Sequence, residues 1–159
     1  MIGREDQLKS LNQNYSSSKS NLMILYGRHG TGKTTLIKEF IKDKKSFYYK
    51  AVAADDFEQN IMFGRAADVK SDSYYEIMKT LRDRGIMLFV VEEFHNIIKT
   101  DSDFMADVSR LVKDEPKVMV ILSCSSVAWV ENSMVKAMGN YAFNINACLL
   151  YTSPSPRDR

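Results

Sequence analysis

Four short apolar runs alternate along the chain with longer segments whose apolar residues recur every three or four positions. The runs cover residues 22–26, 47–49 (extended by Ala51 and Val52), 86–91 and 118–122. The third and fourth runs show no alternation of apolar and polar residues, so both faces of these strands should be buried. This pattern is typical of an α/β fold in which a parallel β-sheet is flanked by helices on both faces.

The segments between the runs predict amphipathic helices, because apolar residues spaced three and four apart share one face of a helix. The four clearest stripes are Leu8, Leu11 and Tyr15; Leu36, Ile37, Phe40 and Ile41; Tyr74, Met78 and Leu81; and Phe104, Val108, Leu111 and Val112. A strand followed by a helix, repeated in this order, favours a doubly wound sheet.

Short polar residues mark where some of these helices begin. Either Asp55 or Asp56 can cap a weaker helix after the second run. Ser73 and Glu76 have the spacing of a capping box, in which each side chain accepts from a backbone amide of the other residue. A last helix is expected over residues 127–138.

Composition places the chain among ordinary globular proteins. It has 159 residues, 45% of them hydrophobic and 26% charged, and a net charge of +2, which does not by itself indicate a nucleic-acid-binding face. The longest unbroken apolar run, residues 86–91, is too short to span a bilayer, and the first residues lack the apolar core of a signal peptide. We therefore expect a cytoplasmic protein with no membrane partner. Cys124 and Cys148 are isolated and show neither metal-binding nor redox spacing.

A glycine-rich segment follows the first apolar run and precedes the second helix. It reads Gly27-Arg28-His29-Gly30-Thr31-Gly32-Lys33-Thr34 and fits the pattern G-x-x-x-x-G-K-[ST] of a P-loop. The glycines let the backbone approach a ligand closely, and inward-pointing amides with a helix N-terminus form an anion site. We expect this loop, together with Thr35, to bind nucleotide phosphates, with Lys33 on the terminal phosphates and Thr34 on Mg²⁺.

The third apolar run ends in two carboxylates, Glu92 and Glu93. In a phosphate-hydrolysing site the first such acid holds the Mg²⁺ shell and the next one polarises the attacking water. Aspartate is usual at the first position. The Glu92 side chain is one methylene longer, and the coordination geometry of Mg²⁺ tolerates little distortion. The alternative interpretation is that the pair only begins a solvated helix or loop.

The fourth run is followed by serines at the same predicted edge of the sheet. Ser125, or else Ser126, is placed to hold the γ-phosphate or the attacking water by a hydrogen bond, between the third strand and the phosphate loop. Turn chemistry that caps the next helix explains these serines equally well. Both interpretations stay open at this point.

The order of these segments resembles the archaeal-type ATP-binding proteins of the AAA+/STAND group of bacteria and archaea. The resemblance is carried by Ile2-Gly3-Arg4-Glu5, the phosphate loop, Val91-Glu92-Glu93-Phe94 and the serine-rich end of the fourth run. It implies an AAA+-like P-loop ATPase core with a five-stranded parallel sheet, whose fifth strand would begin near residues 142–146. It also implies that Ile2, Gly3 and Arg4 lie near the adenine and that Ser125 matches the sensor-1 region.

The last residues are similar to a translated sequencing adapter rather than to a protein segment. The match covers residues 148–158, and a native disordered tail is the alternative interpretation. We therefore divide the chain into a partial P-loop ATPase core, residues 1–147, and a non-native tail, residues 148–159. On this interpretation the fold is incomplete at its C-terminus, and the natural protein continues with a lid and an effector region.

These observations together predict Mg²⁺-dependent ATP binding and ATP hydrolysis, with Lys33, Glu93 and Ser125 as catalytic residues and Thr34 and Glu92 as metal ligands. The alternative is a nucleotide-gated binding or scaffold module with little or no hydrolysis. A GTPase is disfavoured because no N/T-K-x-D base-reading motif occurs in the sequence. A protein or DNA partner would act through the missing C-terminal region, while the lysines of residues 42–45 suit a solvated helix end.

Overall fold

A computed structural model describes residues 4–27, 32–98 and 103–129 of the chain. Its elements are, in chain order, α1 (Arg4–Tyr15), β1 (Asn21–Tyr26), α2 (Lys33–Ile41), β2 (Ser46–Lys50), α3 (Asp56–Ala67), α4 (Tyr74–Asp83), β3 (Leu88–Glu92), α5 (His95–Ile98), α6 (Asp103–Asp114), β4 (Met119–Cys124) and α7 (Val127–Trp129). The predicted fifth strand, most of the predicted last helix and the predicted tail lie outside these residues. No helix in the described part of the chain has the length and apolar character needed to cross a membrane.

The four described strands form one parallel sheet in the order β1-β4-β3-β2. The predicted parallel α/β sheet is therefore confirmed. β4 lies between β1 and β3, as the sequence predicts. Because parallel strands all end at the same edge, the segments that follow β1, β3 and β4 meet there.

Alternate residues along each strand face opposite sides of the sheet, and each side is covered by its own helices. Helices α1 and α2 bury one face, which carries Met23, Leu25, Leu88, Val90, Met119 and Ile121. Helices α3, α4 and α6 bury the other, which carries Leu22, Ile24, Phe89, Val91, Val120 and Leu122. Burial of each such side chain contributes about 1.5–3 kcal/mol relative to exposure, so both layers stabilise the sheet.

Two predicted helix caps are present. The Asp55 carboxylate accepts a hydrogen bond of 2.8 Å from the Glu58 amide, and Asp55, not Asp56, precedes α3. The Ser73 hydroxyl accepts a hydrogen bond of 3.2 Å from the Glu76 amide at the start of α4. Such caps contribute about 1 kcal/mol each by satisfying amides that have no partner within the helix.

Strands β3 and β4 begin and end later than the apolar runs that predicted them. At β3, the Gly85 and Ile86 amides donate to the Arg82 and Leu81 carbonyls at 2.9 and 3.0 Å, and Gly85 has a φ of 97°. These bonds close the end of α4 in a left-handed turn, so the first residues of the run terminate a helix. Because both strands end later than predicted, their C-terminal ends include polar residues, among them Glu92.

Candidate active site

The ends of β1, β3 and β4 are tied together at the carboxyl edge of the sheet. The Gly27 amide donates to the Cys124 carbonyl at 3.1 Å, and the Phe94 amide donates to the Ser123 carbonyl at 3.1 Å. These bonds continue the ladders beyond the last strand residues. They fix the start of the phosphate loop and the turn after β3 against β4.

The described part of the phosphate loop consists of Gly27 and of residues 32–35. Gly32 adopts φ 88° and ψ 10°, a left-handed conformation that suits glycine, and its carbonyl accepts the first bond of α2, from Leu36 at 2.8 Å. Thr35 is exposed on the first turn of α2. The turn therefore delivers a helix N-terminus, with its positive dipole end, to the edge of the sheet.

The other residues predicted to contact the nucleotide are less fully described. Arg28, His29, Gly30 and Thr31 lie outside the described residues, as do Ile2 and Gly3. Arg4 is the first residue of α1. Contacts of these seven residues with a nucleotide stay predictions.

Glu92 is almost fully buried, and three hydroxyl groups of the described residues donate to its carboxylate. Thr34 and Ser123 each donate to Oε1 at 3.1 Å, and Tyr48 donates to Oε2. An unpaired buried carboxylate would be costly, and these bonds offset that cost. The structure thus brings Thr34 and Glu92, the two predicted metal ligands, into direct contact.

Tyr48 and Ser123 are not among the site residues that the sequence predicts, although strand periodicity contains a signal for both. Ser123 pairs with Glu92 in the register of β3 and β4, so their side chains share the face covered by α2. Lys50 pairs with Glu92 in the register of β2 and β3, and Tyr48 lies two residues earlier on that same face. Burial, and then the hydrogen bond and charge of Glu92, raise the pKa of Tyr48, so its phenol remains a donor.

The donors at this point suit a small hard cation. A threonine hydroxyl and a glutamate carboxylate, 3.1 Å apart, are oxygen ligands of the kind that Mg²⁺ prefers. Within residues 4–27, 32–98 and 103–129, no cluster of three or more His, Cys, Asp or Glu residues could hold a metal. Two oxygen donors suit Mg²⁺ in particular, because that ion usually keeps several waters and takes further ligands from phosphate.

Glu93 lies in a different environment from Glu92. It has a φ of 56°, which a non-glycine residue rarely adopts, and this conformation turns it out of the alternation of β3. Its Oε1 accepts from the Ser125 amide at 2.7 Å, and its Oε2 accepts from the Ser125 hydroxyl at 2.6 Å. Ser125 therefore holds both oxygens of this carboxylate.

The ionisation of Glu93 is set by opposing influences. Burial acts to raise the pKa of its carboxyl, but the two hydrogen bonds from Ser125 and the charges of His95 and Lys33 outweigh burial and lower that pKa overall. Lys33 is itself buried in the first turn of α2, with 6% of its surface exposed. Glu93 is consequently an ionised carboxylate at neutral pH.

The two serines after β4 make different contacts, and only Ser126 acts as a helix cap. Ser126 accepts a hydrogen bond of 3.2 Å from the Trp129 amide and caps α7, which is the predicted turn chemistry. Ser125 contacts the second acid, Glu93. Its predicted contact with the γ-phosphate or the water stays a prediction. The alternative that the acid pair only begins a solvated helix or loop is wrong for Glu92, which belongs to β3 and is 2% exposed.

Buried side chains from the turn after β3 and from the end of β4 pack together next to this edge of the sheet. His95, buried at the start of α5, places its Nδ1 3.3 Å from the Cys124 Sγ, and its ring centroid lies 6.0 Å from that of Trp129. Trp129 also contacts Phe94 edge to face, at 5.3 Å between centroids. These contacts fix the turn that carries Glu93.

Comparison with known proteins gives a consistent result. Residues 1–122 match the model of a family described as an ATPase domain predominantly from Archaea. A 44-residue stretch is 46% identical to an uncharacterized ATP-binding protein of Methanocaldococcus jannaschii and covers 28% of this chain and 75% of that protein. An uncharacterized protein of the same archaeon is 24% identical over 132 residues, which cover 78% of this chain and 29% of that protein.

Solved structures share the fold at low sequence identity. The structure of Drosophila ORC bound to DNA aligns with a TM-score of 0.62 and 16% identity over 99% of this chain and 44% of that chain. The Aeropyrum pernix ORC1 protein in complex with DNA aligns with a TM-score of 0.60 and 19% identity, covering 99% and 48%. A Pyrococcus horikoshii STAND protein with a tetratricopeptide repeat sensor aligns with a TM-score of 0.53 and 13% identity, covering 95% and 23%. This chain spans less than half of each of them.

Proposed function

The chain belongs to a family of ATPase domains found predominantly in Archaea, and from this premise we propose that it binds ATP with Mg²⁺ and hydrolyses it. The observation that carries the proposal is the arrangement at the carboxyl edge of the sheet. There Thr34 contacts the buried carboxylate of Glu92, and the ionised carboxylate of Glu93 lies beside it on the adjoining turn. A lone P-loop would support nucleotide binding only.

In this proposal each group at the edge has one task. The amides of residues 27–34 and the N-terminus of α2 hold the phosphates, and the Lys33 ammonium contacts the terminal ones. Thr34 and Glu92 hold Mg²⁺, which when bound neutralises charge on the phosphate oxygens. Ile2, Gly3 and Arg4 contact the base.

Glu93 acts on the attacking water. Its carboxylate accepts a hydrogen bond from the water and orients the oxygen towards the γ-phosphorus. The new O–P bond forms as the bond to the bridging β–γ oxygen breaks, and the proton passes to Glu93 and then to the released phosphate. Because the pKa of Glu93 is lowered, it is a weak base, which suits a reaction that depends mainly on positioning. Ser125 keeps this carboxylate in place.

Two substitutions separate binding from chemistry. Lys33→Ala should weaken ATP binding at least about tenfold, because the loop loses its cation. Glu93→Gln should retain ATP affinity and lose about 10²–10⁴-fold in kcat, because the amide is a poor proton acceptor. Nucleotide affinity by fluorescence titration and phosphate release would be measured on the same preparations. Turnover by Glu93→Gln at the unsubstituted rate would refute the assigned role.

A nucleotide-gated binding module with little hydrolysis is the second candidate. It is favoured by the engagement of both Glu93 oxygens by Ser125, and by glutamate rather than aspartate at position 92. In such a module ATP would order the protein for a partner. A single-turnover experiment with Mg²⁺ distinguishes the two, since stoichiometric phosphate release within minutes excludes a pure binder.

We also propose that any protein or DNA partner contacts parts of the molecule other than Lys44 and Lys45, which follow α2. The structures of Drosophila ORC and Aeropyrum pernix ORC1 contain DNA. In this chain, however, Lys44 donates to the Phe40 carbonyl and the Asp43 carboxylate, and Lys45 donates to the Arg84 carbonyl. Intramolecular contacts thus occupy Lys44 and Lys45.

A further inference from the structure

The carboxylate of Glu92 is held from both sides, and the two sides are not equivalent. Thr34 from α2 and Ser123 from β4 share Oε1. Tyr48 from β2 donates to the other oxygen, Oε2. Rotation about the terminal bond of the side chain would exchange the two oxygens or turn both away. The bond from Tyr48 therefore opposes that rotation.

Glutamate needs such restraint more than aspartate does. Its side chain has one more rotatable bond, so a fixed backbone leaves the carboxylate more positions to visit. The backbone of Glu92 is fixed, since its carbonyl accepts from the Ala51 amide at 2.8 Å and its residue pairs with Ser123. What remains to be fixed is the aim of the carboxylate towards Thr34.

We propose that Tyr48 is a positioning residue that aims the carboxylate of Glu92 at the metal position beside Thr34, and so allows glutamate to serve where aspartate is usual. The inference rests on the function proposed above. Tyr48 acts through Glu92 alone and touches neither nucleotide nor metal in this role.

The surroundings of Tyr48 suit this task. Its ring packs against the layer formed by α1 and α2, and the Lys38 Nζ lies 5.6 Å from the ring centroid. The strand and this layer hold the ring, so the phenol oxygen has little freedom. A rigid donor restrains its acceptor better than a mobile one.

Tyr48→Phe is the direct test, because it removes the hydroxyl and keeps the ring. The matched control is Tyr49→Phe, the same chemical change one residue along β2. Tyr49 faces the opposite side of the sheet, where its ring contacts Phe63 at 5.1 Å between centroids. If both variants required more Mg²⁺ for analogue binding, the cause would be a general disturbance of β2. If only Tyr48→Phe required more, the cause would be the lost bond to Glu92.

The measurement is the Mg²⁺ concentration that gives half of the full effect on the binding of a fluorescent ATP analogue, with the thermal unfolding midpoint as a second readout. Tyr48→Phe should raise this concentration about tenfold, the effect typical of losing a residue that orients a ligand. Analogue affinity in EDTA should not change, and Tyr49→Phe should match the unsubstituted protein. An unchanged Mg²⁺ dependence in Tyr48→Phe overturns the inference.

A second background tests the reason given for Tyr48. In Glu92→Asp the side chain is one methylene shorter and should no longer reach the phenol, so adding Tyr48→Phe should change the Mg²⁺ requirement by less than about twofold. An equal tenfold loss in both backgrounds would overturn the inference. If the unsubstituted protein bound the analogue without any dependence on Mg²⁺, the proposed function would fail and the inference with it. If it showed that dependence and Tyr48→Phe did not alter it, only the inference would fail.

Discussion

Glu92 and Glu93 are chemically identical neighbours, yet the fold gives them different surroundings. Glu92 is the last residue of β3, lies in the sheet and is 2% exposed among hydroxyl donors. Glu93 is the first residue beyond the strand, has a left-handed backbone and keeps a half-buried carboxylate against Ser125. The point at which β3 ends thus separates a buried acid in the sheet from a half-buried acid on a turn; in the proposed function the first holds Mg²⁺ and the second acts on water.

The comparison predicts unequal costs when each carboxylate is removed. Glu92→Ala leaves the buried Ser123 hydroxyl and the half-buried Thr34 and Tyr48 hydroxyls without their acceptor, so the free energy of unfolding should fall by about 2–4 kcal/mol. Glu93→Ala should lower it by about 1 kcal/mol or less, since Ser125 can turn to water. Urea unfolding of both variants without nucleotide measures this. Equal losses would mean that Glu92 is not held as described.

Glycine and alanine should rank in opposite orders at the two positions. At position 93 the left-handed backbone penalises alanine, so Glu93→Gly should be about 1 kcal/mol more stable than Glu93→Ala. At position 92 the extended backbone favours alanine, so Glu92→Gly should be about 0.5–1 kcal/mol less stable than Glu92→Ala. The four variants share one unfolding assay. The same order at both positions would contradict the left-handed turn.

The smallest expected effect concerns the ionisation of Glu93. Its lowered pKa contributes stability that is fully present above the pKa of the unfolded chain and is lost as the pH falls through the pKa of the folded protein. Ser125→Ala removes one of the two hydrogen bonds, so the pKa of Glu93 should rise towards its ordinary value. The difference in free energy of unfolding between the unsubstituted protein and Ser125→Ala should therefore become smaller below about pH 4.

A titration of the Glu93 carboxyl carbon by NMR measures the pKa, and urea unfolding at neutral and acid pH measures the difference in free energy of unfolding. Ser126→Ala is the control, since that serine caps α7 through Trp129 and does not hold Glu93. A midpoint that moves equally in both serine variants would show that the turn as a whole, rather than the bond from Ser125, sets the pKa.

Much of the fold could be predicted because it depends on patterns within single segments. Continuous apolar runs predicted parallel strands buried on both faces, and the caps at Asp55 and Ser73 predicted helix starts. The resemblance to archaeal-type ATP-binding proteins, carried by an ordered set of segments, is confirmed by the family match. Exact strand ends were less predictable, because the same apolar residues can close a helix, as Ile86 does.

The site was only partly predictable, for a different reason. Residue types and spacing predict Thr34, Glu92 and Glu93 as site residues. The bond from Tyr48 to Glu92 depends instead on which strand lies beside β3, and the whole sheet decides that. Ser125 and Ser126 are adjacent and alike, and the backbone after β4 alone decides that one holds a carboxylate and the other caps a helix. Nothing in the residue type announces the left-handed conformation of Glu93.

The late endings of β3 and β4 limit where a residue can be inserted in these strands. Glu92 and Ser123 belong to the hydrogen-bonded ladder itself. The face of the sheet on which each side chain lies therefore depends on whether its position along the strand is odd or even. Insertion of a single residue within β3 would rotate Glu92 to the side of α4 and α6 and part it from Thr34, even if the hydrophobic layers tolerated the change. The site therefore restricts the number of residues in β3 and β4, in addition to the restriction that the hydrophobic layers impose.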